Sequence, residues 1–127
     1  EDLSGPATNA EKSEADAACR KYADAVRAAG TYAKAVEEGK VFLNGWDSND
    51  GLFARMILCD QISRNAFRGT AEAFAYDGPG MDCARSLFRD RKAHLAFDSM
   101  WQFTFLCTPG QHSEVLEDHE LNNEIVV

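Results

Sequence analysis

Two short stretches hold the side chains best suited to chemistry. DQISRNAFRGT, residues 60–70, and QHSEVLEDHE, residues 111–120, gather carboxylates, guanidinium groups, amides and imidazoles at close spacing. If the two meet in the fold, His112 is placed to act as a general base. Asp60 or Glu114 would then orient its ring, and Arg64 or Arg68 would hold an anionic substrate such as a phosphate or carboxylate. The same inventory also builds a purely structural network. Asp60, Gln61, Arg64, Asn65, Arg68, His112, Ser113 and Glu114 supply enough donors and acceptors to cross-link two helices, since each arginine alone carries five N–H groups. The network is the plainer reading and the favoured one.

Other chemistries fit less well. His112 and His119 are seven residues apart, roughly 10 Å along a helix, too far to share a metal ion, and no H-E-x-x-H occurs. Ser113 lacks the G-x-S-x-G setting of a hydrolase nucleophile. Gly78 and Gly80 flank Pro79 at a helix entry and do not form a phosphate-binding loop. No metal and no cofactor is therefore expected. His94, in a basic segment between helices, reads as solvent-facing.

The elements that must position these residues read as helices throughout. Ala15, Ala18, Tyr22, Val26, Ala29, Ala33 and Val36 recur at three- and four-residue steps, which predicts one long helix opened by Thr8 or Asn9, bent at Gly30 and capped by Gly39. NGWDSND is a turn, and Asp47 or Ser48 caps a second helix with Leu52, Phe53, Met56, Ile57 and Asp60 on one face. Asp60 thus falls on the buried stripe, where an unpaired carboxylate would cost several kcal/mol; Arg64, one turn on, is its expected partner. Gly69 is free to adopt positive φ, Thr70 to cap the short helix AEAFAYD, and Asp77 to cap a helix reaching about Arg89 with Met81, Ala84, Leu87 and Phe88 inward. MWQFTFLC alternates as a strand would, but no second strand pattern exists to pair with it. Residues 95–107 are therefore read as a buried helix ended by Pro109 and Gly110. His112 to Ile125 forms the last helix.

The result is an all-α chain, an antiparallel array of about five to six helices. Its 127 residues and 45% hydrophobic content fit a single domain over residues 9–127, preceded by a loose arm over 1–8. A net charge of -8 argues against sequence-independent nucleic-acid binding. No basic residue follows Lys92, while Glu114, Glu117, Asp118, Glu120 and Glu124 crowd the end; such a run is a solvated helix face or a docking surface for a basic partner. No apolar run is long enough to span a membrane, which leaves peripheral attachment to a membrane complex compatible with the sequence. Cys19, Cys59, Cys83 and Cys107 form no C-x-x-C pair and read as buried free thiols, which favours a reducing compartment. The first residue is Glu, consistent with removal of a transit peptide, in cytoplasm or organelle interior, or with a longer parent chain.

DQISRNAFRGTAEAFAYD, followed by PGQHSEVLEDHE, resembles the DUF924 family, whose members carry D-Q-F-P-R-N-x-[FY]-R-G-T-x-x-A-F-A-x-D and, downstream, P-x-x-H-S-E-D-x-x-x-Q-E. The resemblance covers roughly residues 20–120 and implies an all-helical fold similar to tetratricopeptide repeats. Ser63 stands where the family usually has Pro, and relatives continue through further helices, so it also implies a shortened member. No activity comes with it. With no triad, metal set or nucleotide loop, the favoured function is a non-catalytic binding or assembly module, an accessory subunit of a larger and organellar complex. Its partner would cover the apolar side chains of the last helix: Val115, Leu116, Leu121, Ile125, Val126 and Val127. The alternative is a small-molecule enzyme acting on an anionic substrate between the two blocks.

Overall fold

Thr8 opens the first helix through a reciprocal pair of bonds: its hydroxyl accepts from the Glu11 amide at 3.1 Å, and the Glu11 carboxylate accepts from the Thr8 amide at 3.2 Å. The computed structural model describes residues 8–40 and 45–126, with the side chain of Val126 left out; most of the expected N-terminal arm and Val127 lie outside these. Six α-helices and no strand occur among the described residues. They are α1 (Asn9–Arg20), α2 (Ala23–Glu37), α3 (Asn49–Ile57, carried on by a π-turn over Leu58–Ile62 and an α-turn over Ser63–Ala66), α4 (Asp77–Arg85, carried on by a π-turn over Ser86–Asp90), α5 (Met100–His112) and α6 (Leu116–Val126). Short 3-10 turns over Ala71–Phe74 and Ala93–Ala96 join α3 to α4 and α4 to α5. No described helix is long and apolar enough to cross a membrane.

The single long helix expected over the first forty residues is two helices. Lys21 and Tyr22 turn the chain, their amides bonding to the carbonyls of Ala18 and Cys19 three residues back. This reorients α1 so that Asp16, and not Ala15 or Ala18, is buried. α2 runs through Gly30 without interruption. A Cβ there would lie 2.8 Å from Tyr76 Cγ and nearer still to Cδ1, so glycine is what lets the Tyr76 ring rest on the helix backbone. Gly39 ends α2 as expected: at φ 77° it allows the Lys40 amide to reach the Ala35 carbonyl and its own amide to reach Val36, which satisfies two carbonyls the helix leaves open. Ser48 caps α3 by accepting from the Gly51 amide.

Other local expectations are corrected. The Thr70 hydroxyl donates back to the Phe67 carbonyl and caps nothing. Asp77 is the first residue of α4 and not its cap, its carboxylate being held by Arg64. Residues 93–96 form a separate 3-10 turn, and α5 begins at Met100 behind a capping box of Ser99 and Gln102. Pro109 does not end α5. It lacks the N–H that would bond to the Phe105 carbonyl, and the Thr108 hydroxyl donates to that carbonyl at 2.9 Å, so the helix continues to His112. His112 therefore closes α5 instead of opening α6. His94 is half-buried, its ring 4.5 Å from that of Phe88, and its buried Nδ1 has no partner.

Two apolar clusters hold the helices together. Leu52, Met56, Met81, Leu87, Leu106 and Leu121 join α3, α4, α5 and α6, while Val26, Ala66, Phe67 and Ala73 join α2 to the end of α3. Burying each large side chain contributes about 1.5–3 kcal/mol. Leu121 is 1% exposed and belongs to the core instead of an open strip, and Ile125 is half-buried against the same cluster. Of the remaining residues expected on that strip, Val115 and Leu116 are exposed, while Val127 and the side chain of Val126 lie outside the described residues. All four cysteines are unpaired, with Cys59, Cys83 and Cys107 buried and Cys19 partly so.

Candidate functional site

The π-turn of α3 decides where the first motif block points. A π-turn inserts one residue into the helical register, and here it directs Asp60 inward to 2% exposure while leaving Arg64 half-buried at the edge. Asp60 must then find partners inside the protein. Its Oδ2 accepts from Gln61 Nε2 at 2.6 Å, and its Oδ1 accepts from Nδ1 of His112, at the end of α5, at 2.8 Å. The end of a helix also suits any positive charge on the ring.

Arg64, the expected partner of Asp60, is engaged elsewhere. Its Nη1 is 3.9 Å from Asp60 Oδ1 but donates at 2.9 Å both to the Asp60 backbone carbonyl and to Asp77 Oδ1, and Nη2 reaches Asp77 Oδ2 at 3.3 Å. The forked pairing with Asp77 ties α3 to α4. Arg68 faces away from this cluster and bonds Asp16 of α1 through Nε at 2.7 Å. Asn65 is half-buried beside the cluster and takes no hydrogen bond within it.

Across from Asp60 stands a second buried carboxylate, Asp118 of α6. The Ser113 hydroxyl donates to Asp118 Oδ2 at 2.5 Å and accepts from the Val115 amide, while Arg85 Nη2 donates to Asp118 Oδ1 at 3.0 Å. His119 Nε2 donates to the Ser113 carbonyl and closes the turn. His112 and Ser113, adjacent in sequence, are thus each held by a buried aspartate from a different helix. Glu114 is exposed and bonds to neither.

Between these walls lies a cleft of about 740 Å³ lined by Arg64, Phe74, Asp77, Met81, Asp82, Arg85, Pro109, His112, Ser113, Glu114, Val115 and Asp118, among others. Both motif blocks therefore border one space. Asp77, Asp82, Arg85 and Asp118 were not singled out from sequence as site residues. Asp77 closes the first motif block, which was the available signal; Arg85 had none. Beneath the site, burial pushes the Cys59 thiol up to about 12. Among the described residues, no group of three His, Cys, Asp or Glu side chains is placed to hold a metal ion.

The family model described as "Bacterial protein of unknown function (DUF924)" matches residues 7–126. The chain belongs to that family. The match extends beyond the two motif blocks to every helix of the fold. No curated protein and no solved structure matches the chain, so the DUF924 site is read from its own geometry.

Proposed function

We propose that this DUF924 chain binds a small molecule in the cleft and performs acid–base chemistry on it, with His112 as the proton acceptor. The observation that carries this reading is the 2.8 Å contact between His112 Nδ1 and the buried Asp60 carboxylate on the cleft wall. A carboxylate accepts only from Nδ1–H, so the neutral ring keeps its lone pair on Nε2, which has no hydrogen bond within the described residues. Nε2 can then take a proton from a bound O–H, N–H or C–H group. The imidazolium so formed is stabilised by Asp60 and returns the proton to product or water. Such a positioned base contributes about 10²–10⁴-fold to a rate.

The test is to incubate the purified protein and His112→Gln with a mixed small-metabolite extract and follow the pool by mass spectrometry. A metabolite consumed by the native chain and at least about 100-fold more slowly by the variant supports the reading. Identical pools with both proteins contradict it.

A second reading is the non-catalytic assembly module, an accessory subunit of a larger complex with a tetratricopeptide-like helical array. The exposure of Leu95, Met100, Trp101, Val115 and Leu116 favours it. Sedimentation of the isolated chain together with capture from native extract tests it: a defined partner that covers these side chains, and is lost when Val115 and Leu116 are replaced by Ser, is expected, and a cooperatively melting monomer that captures nothing opposes it.

A further inference from the structure

We infer that the ligand of this cleft is an organic cation, carrying an ammonium or guanidinium group on a short apolar body, and not the anion that the arginines of the motif suggest. The inference rests on the cleft being the binding site, as proposed above; the acidic side chains decide only the sign of what enters. Two arginines and four carboxylates line the cleft. Both arginines are already neutralised. Arg64 is forked onto Asp77, and Arg85 divides its guanidinium between Asp82 and Asp118. An incoming phosphate or carboxylate would compete with these carboxylates for the two guanidinium groups and would share the lining with all four of them.

The opposite sign fits without rearrangement. Glu114 has no ion-pair partner, and Asp82 is exposed with only one face engaged by Arg85. Both line the cleft and can take an ammonium or guanidinium group. Phe74, 61% exposed, and Val115, 52% exposed, present apolar surface for the carbon skeleton.

Agmatine, glutarate and inorganic phosphate serve as probes, read by amide shifts of Ser113, Glu114 and Val115 in two-dimensional nuclear magnetic resonance of the full chain. Agmatine is expected to shift these amides saturably, and the Asp82→Asn/Glu114→Gln variant to weaken its binding by about fivefold to tenfold. Glutarate and phosphate are expected to leave the same amides unmoved. The inference is overturned if the anions shift the cleft amides, if agmatine does not, or if agmatine binds the variant as tightly as the native chain. Because the readout is binding alone, these outcomes leave the acid–base role of His112 to the turnover experiment, and failure there leaves the charge preference standing.

Discussion

His112 and Asp60, 52 residues apart in sequence, meet at 2.8 Å, whereas Arg64, four residues from Asp60 on the same helix, stays 3.9 Å from the same oxygen. The stronger energetic coupling therefore crosses the fold instead of running along the helix. Double-mutant cycles by chemical denaturation, pairing Asp60→Asn with His112→Gln and with Arg64→Gln, should give about 1.5–3 kcal/mol for the first pair. The second should give about 1 kcal/mol or less, because the Arg64 bond to the Asp60 backbone carbonyl is made equally with Asp or Asn at position 60 and cancels in the cycle. The reverse order would show that the helix neighbour, not the imidazole, stabilises the buried carboxylate.

Gly30→Ala should destabilise the protein even though alanine favours a helix by about 1 kcal/mol. The added methyl meets the Tyr76 ring near its root, and that ring is anchored by a 2.6 Å bond from its hydroxyl to Glu72. Overpacking of this kind costs about 1–3 kcal/mol. A lower denaturation midpoint at unchanged slope is expected; a raised midpoint would mean that Tyr76 moves aside freely.

The sequence announced those features whose causes are local. Thr8 and Ser48 cap, Gly39 takes positive φ, and Asp60 falls on the buried stripe, because each depends on neighbours within one helical turn. Where contacts across the fold decide, local reading failed. Small alanines fit either face of a helix, so nothing near residue 21 signalled the break that buries Asp16 against Arg68, 52 residues away. The π-turn at Asp60 has no compositional mark, yet it separates Asp60 from Arg64. Pro109 stays inside α5 because of the Thr108 hydroxyl, and Leu121 is internal because α6 folds back onto α5. That the two motif blocks border one space was legible; which residue pairs with which was not.

Glu72 gives a pH-dependent signature. Hydrogen bonds from Arg27 and Tyr76 hold its carboxyl at about 2 against an ordinary 4.5. Since the folded state binds this proton less tightly than the unfolded state, the contribution is fully present above about pH 4.5 and is lost as pH falls through about 2. Stability of native protein and Glu72→Gln, measured across that window, should converge towards the acid end. A gap that stays constant from neutral pH to pH 2 would contradict the assignment.

Thiol reactivity should follow burial. Desolvation pushes all four thiols up, Cys59 to about 12 and Cys19 with a further push from Asp16, but Cys59, Cys83 and Cys107 are buried while Cys19 is partly open. With iodoacetamide near pH 8 under native conditions, Cys19 should be labelled first and Cys59 only on unfolding, as counted by intact mass and peptide mapping. Labelling of Cys59 at the rate of Cys19 would place it outside the core.

The tautomer of His112 tests the account most directly. Long-range nitrogen–proton correlation on the imidazole, recorded where the ring is neutral, distinguishes a protonated Nδ1 from a protonated Nε2. The proposed site requires Nδ1–H bonded to Asp60 and a bare Nε2 facing the cleft, with the Nδ1 signal altered in Asp60→Asn. A ring protonated on Nε2, or one whose signals ignore that substitution, would contradict the proposed base.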